Sequence, residues 1–163
     1  MRFERTSEFD RPATIIAEFL FNPETMRYLL RPVVRVVPRS PDRLPRRWEA
    51  GRYQVSMWLL GFIPLGRQDI VITDIVTDPA AGRWGLHDDG SGSLIRRWDH
   101  RITLEALPDG RSRYADQVDI DAGMMTPAAW LFATLVFAWR HHRWHRLVAA
   151  APREALSGAA LRD

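Results

Sequence analysis

The sequence contains no cysteine, no lysine and no apolar run long enough to span a bilayer. The lack of cysteine excludes disulfide bonds, thiol catalysis and thiolate ligands to a metal. The apolar run of the predicted late helix, residues 127–139, covers 13 positions, whereas a spanning helix requires roughly 20. The first residues are charged and alternate with apolar ones, which is not the pattern of a signal peptide. We therefore expect a cytoplasmic protein.

The lack of lysine also explains why the pI is high although the net charge is small. All 23 basic residues are arginine and are set against 20 acidic ones, so the formal net charge is only +3. The sequence pI of about 10.1 arises because few groups titrate between histidine and arginine. Nucleic-acid binding requires a strong positive field, so we expect no nucleic-acid partner.

The apolar content predicts a single globular domain. Apolar residues make up 46 % of a 163-residue chain, which is enough for one core. We place this domain at residues 1–150 and expect residues 151–163 to be a frayed tail. The seven tryptophans are suited to packing a core or to lining a pocket for an apolar ligand.

A long helix is predicted over residues 126–150, which read TPAAWLFATLVFAWRHHRWHRLVAA. Thr126 and Pro127 are typical of a helix start. Up to Trp139 this helix would be apolar on nearly every face, so other elements have to cover it. We expect its first half to form the core and lid of a cavity and residues 140–146 to emerge toward solvent.

The rest of the chain predicts the cover for this helix. Alternation and β-branched runs indicate strands, and Asp10 and Asn22 are suited to cap two short helices, the first ending near Leu20 and the second covering Pro23–Leu30. Strands are expected at residues 3–9, 33–37, 48–60, 67–77, 83–88, 94–107 and 111–121. Short connections make successive strands antiparallel. The predicted fold is α+β, a curled antiparallel sheet of about seven strands in the order β-α-α-β6-α around the long C-terminal helix.

Two connections are unusual. The turn Gly61–Gly66 is largely apolar, so we expect it either to pack against a neighbouring loop or partner chain or to form the lip of a cavity. The stretch Asp88–Ser93 is expected to be a solvated hairpin tip, because it lacks both the spacing of a calcium loop and a complete dinucleotide fingerprint.

An ordered set of short motifs runs along residues 1 to about 150. The motifs are Asn22-Pro23, Trp48 with Gly51 and Tyr53, Gly61 with Pro64 and Gly66, Trp98-Asp99-His100, Asp109-Gly110 with Asp116, and the long helix with its arginine-rich end. In this order they resemble the SRPBCC helix-grip superfamily, which includes START domains, birch-pollen-allergen type proteins and polyketide cyclases. The resemblance implies a cavity between sheet and helix, often used for lipids, sterols, aromatic polyketides or quinones, and it carries over no universal catalytic residue.

The last hairpin supplies the candidate chemistry. Alternation places Trp98 and His100 inward on one strand and Tyr114 and Asp116 inward on the next. A three-residue turn sets His100 diagonal to Asp116 and within reach of it. The two are candidate catalytic residues, as an acid–base or ligand-orienting pair, or else a buried polar pair that satisfies itself.

Candidate ligand-binding residues are mainly the aromatic and polar groups that face the expected cavity. They are Tyr53, Met57, Trp98, His100, Tyr114, Asp116, Trp130 and Phe137. His141 and His145 lie four apart on the long helix, but arginines surround them and no carboxylate is near in sequence, so we expect no metal. The arginine and histidine cluster there is suited either to the helix dipole at the surface or to an acidic head group or anionic membrane.

Three functions are compatible with these patterns. The first is binding of a small, largely apolar molecule of the lipid, aromatic polyketide or quinone class. The second is a polyketide cyclase or dehydratase-like enzyme that uses His100 and Asp116. The third is a non-enzymatic interaction or lipid- or quinone-delivery accessory. We expect no cofactor, a monomer or homodimer, and no obligatory contact with a membrane surface.

Overall fold

The computed structural model describes residues 1–151 of the chain. It contains strands β1 (Arg2–Phe9), β2 (Val34–Ser40), β3 (Gly51–Leu59), β4 (Ile63–Asp78), β5 (Arg83–Gly92), β6 (Arg97–Ala106) and β7 (Ser112–Asp121). The helices are α1 (Ala13–Leu20), α2 (Pro23–Leu30) and α3 (Thr126–Ala150), with a 3₁₀ turn at Gly123–Met125 before α3. The predicted tail, apart from Ala151, lies outside the described residues.

All seven strands form one open antiparallel sheet. Its order is β1-β7-β6-β5-β4-β3-β2, so only the first strand pairs out of sequence, with the last. The predicted α+β helix-grip architecture is confirmed, and α3 has the predicted bounds. No helix within residues 1–151 combines the length and hydropathy needed to cross a membrane.

The start of each short helix follows from local sequence. Asn22 caps α2, because its side chain accepts a hydrogen bond from the Glu24 amide at 2.9 Å and Pro23 occupies the first turn. Asp10 does not cap α1 as predicted; the cap position is Pro12, which has no side chain to accept a bond. These helices place Ile16, Leu20 and Leu29 in the core beside the sheet.

Strands β4 and β5 are longer than the sequence pattern indicates. The turn between β3 and β4 is only Leu60 to Phe62, and both of these side chains are exposed. The predicted hairpin tip at Asp88 is wrong, because β5 runs on to Gly92 and pairs with β4 and, as far as Gly90, with β6. Glycine allows this close approach: a Cβ atom on Gly92 would lie 2.5 Å from the carbonyl oxygen of Arg67.

The long helix touches the sheet mainly along one edge. It packs on β1 and β7 and, at the other side, on α2. Phe137 and Ala133 form a cluster with Val118 and Ile120 of β7. Because the helix is held at this edge and by α2, space remains between its first half and the strands at the opposite side of the sheet.

Candidate functional site

A cavity of about 360 Å³ occupies this space. Its walls come from α2, from strands β2 to β6 and from the first half of α3, and most of its lining is apolar. The polar or charged lining residues are Arg67, Gln68, Asp88, His100 and Arg140. Its size and lining are those of a small-molecule site, an apolar pocket with a few polar groups.

A second cavity, of about 50 Å³, lies next to the first and extends toward α1 and Trp48. Asp88, His100 and Arg140 line both cavities, together with Met26 and Ile70. These three polar side chains therefore lie where the two cavities adjoin.

His100 and Asp116 reach each other across β6 and β7. Ile102 is the direct partner of Asp116, so His100 is its diagonal neighbour on the same face. The Nε2 atom of His100 lies 2.8 Å from Oδ1 of Asp116, and the hydroxyl of Tyr114 donates to the same oxygen at 2.8 Å. Asp116 and Tyr114 have no solvent exposure.

The long helix adds two more partners to Asp116. Nε2 of His141 lies 3.0 Å from Oδ2, and Nε of Arg140 lies 3.4 Å from the same oxygen. Arg140 also donates from Nη2 to the Tyr114 hydroxyl at 2.7 Å, and Nδ1 of His141 pairs with the Ser7 hydroxyl of β1 at 2.7 Å. We call Ser7, His100, Tyr114, Asp116, Arg140 and His141 the Asp116 network.

These contacts of Arg140 and His141 correct the expectation that residues 140–146 emerge toward solvent. Arg140, His141 and Trp144 are buried, while His142, His145 and Arg146 are exposed. The physical reason is that the fully buried carboxylate of Asp116 needs charged and hydrogen-bonding partners, which β6 and β7 do not supply alone. His141 and His145 do not converge, because His141 faces Asp116 and His145 packs on the ring of Phe9.

Electrostatics fix the protonation states of Asp116 and His100. Burial by itself would raise the pKa of Asp116, but the charge of Arg140 and the hydrogen bonds from His100 and His141 outweigh it and hold that pKa far below its ordinary range. Burial lowers the pKa of His100, and the opposing effect of Asp116 does not offset this. His100 is therefore neutral at pH 7, and the ionised Asp116 requires its proton on Nε2.

The remaining nitrogen of His100, Nδ1, then carries a lone pair. It has no hydrogen-bond partner among residues 1–151, and the ring lines both cavities. Phe137 and Trp98 flank the ring, with centroid distances of 5.1 and 6.3 Å. A ligand in the cavity can thus meet an oriented, neutral imidazole with apolar walls on either side.

Asp88 is a polar cavity residue that the sequence reasoning missed. Its Oδ1 accepts a hydrogen bond from the Val71 amide at 2.7 Å, and no cation of residues 1–151 lies within ion-pair distance of it. Burial, assisted by Asp89 and Asp99, raises the pKa of Asp88 to about 7. The signal was present in the sequence, because Trp84, Leu86 and Asp88 alternate with a period of two.

Only some of the predicted ligand-binding residues line the main cavity. Met57, Trp98, His100 and Phe137 do, and Tyr53, Tyr114, Asp116 and Trp130 do not. Tyr53 packs on Trp48 and donates to the Glu49 carbonyl. Tyr114 and Asp116 lie within the Asp116 network, and Trp130 packs on Phe3 of β1 and donates to the carbonyl of Arg2.

The large apolar side chains of the turn between β3 and β4 are not covered by the rest of residues 1–151. The exposed fractions of Leu60, Phe62 and Ile63 are 55, 68 and 43 %. Leu65, just beyond the turn, lines the cavity, as does Leu94, whose side chain is also exposed.

Comparisons with known proteins give a family and a fold. The pattern of a family described as Domain of unknown function (DUF8410) matches residues 7–148. No curated protein matches the sequence.

Solved structures resemble the chain over nearly its whole length. A protein of Chromobacterium violaceum has a TM-score of 0.66 at 13 % identity, covering 92 % of this chain and 99 % of that one. A START superfamily protein from Mycobacterium smegmatis has a TM-score of 0.58 at 11 % identity, covering 91 and 97 %. Truncated norcoclaurine synthase from Thalictrum flavum has a TM-score of 0.57 at 11 % identity, covering 93 and 95 %. At these identities the likeness shows the fold, which is the SRPBCC helix-grip fold.

Proposed function

Because this chain belongs to the DUF8410 family and has the helix-grip fold of the SRPBCC superfamily, we propose that it binds a small, largely apolar molecule between sheet and α3. The lipid, aromatic polyketide and quinone classes fit this description. The observation that carries the proposal is the cavity of about 360 Å³, in which five of the lining residues that the structure describes are polar or charged and the rest are apolar.

Binding would be driven by removal of apolar ligand surface from water. Each Å² of apolar surface buried contributes about 25 cal/mol, before the costs of association are subtracted. His100 would fix the orientation of the ligand, since Nδ1 can accept one hydrogen bond while Asp116 holds the ring in place. Trp98, 6.1 Å from Phe137 between ring centroids, gives the cavity an aromatic wall.

Native mass spectrometry before and after organic extraction tests this proposal. The purified protein should carry an added mass that extraction removes, and the extracted protein should bind the neutral probe N-phenyl-1-naphthylamine. The change Ala129→Trp fills the cavity from α3 and should abolish probe binding. Ala149→Trp, at an exposed position of the same helix, is the matched control and should bind as the wild type does. Unaltered binding by Ala129→Trp would contradict the proposed location.

A second candidate function is an enzyme of the cyclase or dehydratase kind. The observation that favours it is His100 itself, which lines both cavities, has no hydrogen-bond partner for Nδ1 among residues 1–151, and has Nε2 held by the Asp116 carboxylate. In such a reaction His100 would take a proton from the bound substrate. Asp116 does not line either cavity, so it would be a positioning residue that sets the tautomer and stabilises the imidazolium.

The variant His100→Ala separates the two candidates. If the protein is an enzyme, this change should abolish turnover of the molecule identified by mass spectrometry while leaving its apolar binding nearly intact. His142→Ala, at an exposed position of α3, serves as the control. Turnover by His100→Ala at the wild-type rate would remove His100 from the chemistry.

A further inference from the structure

Arg140 is a buried cation whose hydrogen-bonding capacity is mostly unused by the described protein residues. The residue is 6 % exposed and lines both cavities. A guanidinium carries five N–H donors. Among residues 1–151 it makes one hydrogen bond, from Nη2 to Tyr114, while Nε is buried without a hydrogen-bond partner and Nη1 has none either.

Its nearest carboxylate cannot satisfy it. Asp116 already accepts hydrogen bonds from His100, Tyr114 and His141, and Nε of Arg140 reaches it only at 3.4 Å, without hydrogen-bond geometry. The ion pair with Asp116 balances the charge of Arg140, but the two N–H groups of Nη1 are left for another acceptor. A planar fork of donors at the wall of an apolar cavity is the arrangement that recognises a carboxylate.

The other charges at the cavity are compatible with an anion. Arg67 is the second cation in the lining, and it is exposed. Asp88 is the one carboxyl group among the described lining residues, and burial keeps a large fraction of it protonated at pH 7. A ligand ammonium would meet two arginines, whereas a ligand carboxylate would meet little negative charge.

We propose that the ligand is an apolar carboxylic acid whose carboxylate is bound by Arg140 at the junction of the two cavities. This inference rests on the proposed binding function and adds the chemical class of the polar end. The apolar body would fill the larger cavity, and the carboxylate would take the Nη1 donors that residues 1–151 leave unpaired. Asp116 would stay with the two histidines and Tyr114.

Three probes of one chain length test the inference in the unaltered protein. Binding of decanoic acid, 1-decanol and decylamine is measured by titration calorimetry at pH 7 on extracted protein. Decanoate should bind about tenfold to a hundredfold more tightly than decanol, the range expected of a charge-assisted hydrogen bond. An apolar cavity without a cationic partner would show the reverse order, because burying an unpaired carboxylate is costly.

Variants then locate the carboxylate. Arg140→Lys keeps the buried charge but loses the fork, and should reduce the preference for decanoate over decanol by about tenfold. Arg146→Lys, exposed on the same helix, should leave the preference unchanged. If Arg67→Gln removes the preference and Arg140→Lys does not, the carboxylate lies at Arg67 and the inference is wrong.

Each remaining outcome is decisive. Equal binding of decanoate and decanol, or tightest binding of decylamine, overturns the inference and leaves the proposed apolar binding intact. Binding of none of the three contradicts the proposed function itself, and the inference falls with it.

Discussion

Replacing Asp88 by asparagine should stabilise the protein, and more strongly at pH 8 than at pH 5. Burial raises the pKa of Asp88 to about 7 from an ordinary value of 3.8. The folded protein therefore binds a proton that the unfolded chain has released, and the free energy of unfolding falls as the pH rises from about 4 to about 7. Above pH 7 the folded state carries a carboxylate in a largely apolar cavity.

The difference between these two pKa values corresponds to roughly 4 kcal/mol. Asp88 is half-buried, so solvent screens part of its charge and lowers the expected gain to about 2–4 kcal/mol at pH 8. Asparagine retains the carbonyl oxygen that accepts the Val71 amide hydrogen bond, so the variant removes the charge and little else. The groups that act on Asp88 are the Val71 amide, Asp89 on its own strand and Asp99 on β6, and His100 and Arg140 line the same cavities.

Urea unfolding followed by tryptophan fluorescence at pH 5, 6, 7 and 8 measures this effect. The difference between Asp88→Asn and the wild type should grow over this range and level off above pH 7. Asp74→Asn, at an exposed position of β4, is the control and should show no such trend. A difference that is the same at pH 5 and pH 8 would refute the reasoning, because it would mean that Asp88 is ionised throughout or fully hydrated.

Other predictions concern the Asp116 network. Asp116→Asn should lower the free energy of unfolding by about 3–5 kcal/mol, since it leaves Arg140 buried without a counter-charge, and calorimetry should find a melting temperature lower by roughly 10 °C. Tyr114→Phe should cost about 1–3 kcal/mol in urea unfolding, because it removes bonds to both Asp116 and Arg140; wild-type stability would show that these bonds contribute nothing. His100 acts in the opposite direction below about pH 6, where the unfolded chain protonates it and the folded one, with its lowered pKa, does not; in the Asp88→Asn background the free energy of unfolding should therefore fall as the pH drops there. His100→Asn should flatten that limb of the profile.

Period-two alternation made the sheet and the closeness of His100 and Asp116 predictable. The inward faces of β6 and β7 follow from their apolar residues, and a short turn fixes which residues meet across them. The same alternation runs through Trp84, Leu86 and Asp88. Beyond Asp88 the alternation is interrupted by Gly90 and Gly92, and the pattern then resembles a turn. Glycines also occur within strands where two backbones approach closely.

The fate of Arg140 and His141 could not be predicted from α3 alone. Cations near a helix end ordinarily lie at the surface, and nothing within residues 126–150 indicates otherwise. The reason for their burial is on another element, at Asp116, whose side chain is completely enclosed. The predicted pair with His100 uses only Oδ1 of Asp116, so Oδ2 needs partners from another element, and these are on α3.

The Asp116 network also fixes the position of α3 along its own axis. From Pro127 to Trp139 the helix is apolar on nearly all sides, so hydrophobic packing alone would tolerate a slide of one turn, about 5.4 Å. Such a slide would pull Arg140 and His141 away from Asp116 and deprive the buried carboxylate of its counter-charge. The carboxylate of Asp116 on β7 thus fixes the axial position of α3 against the sheet. The volume of the cavity between helix and sheet is therefore set by a polar contact rather than by the fit of apolar side chains.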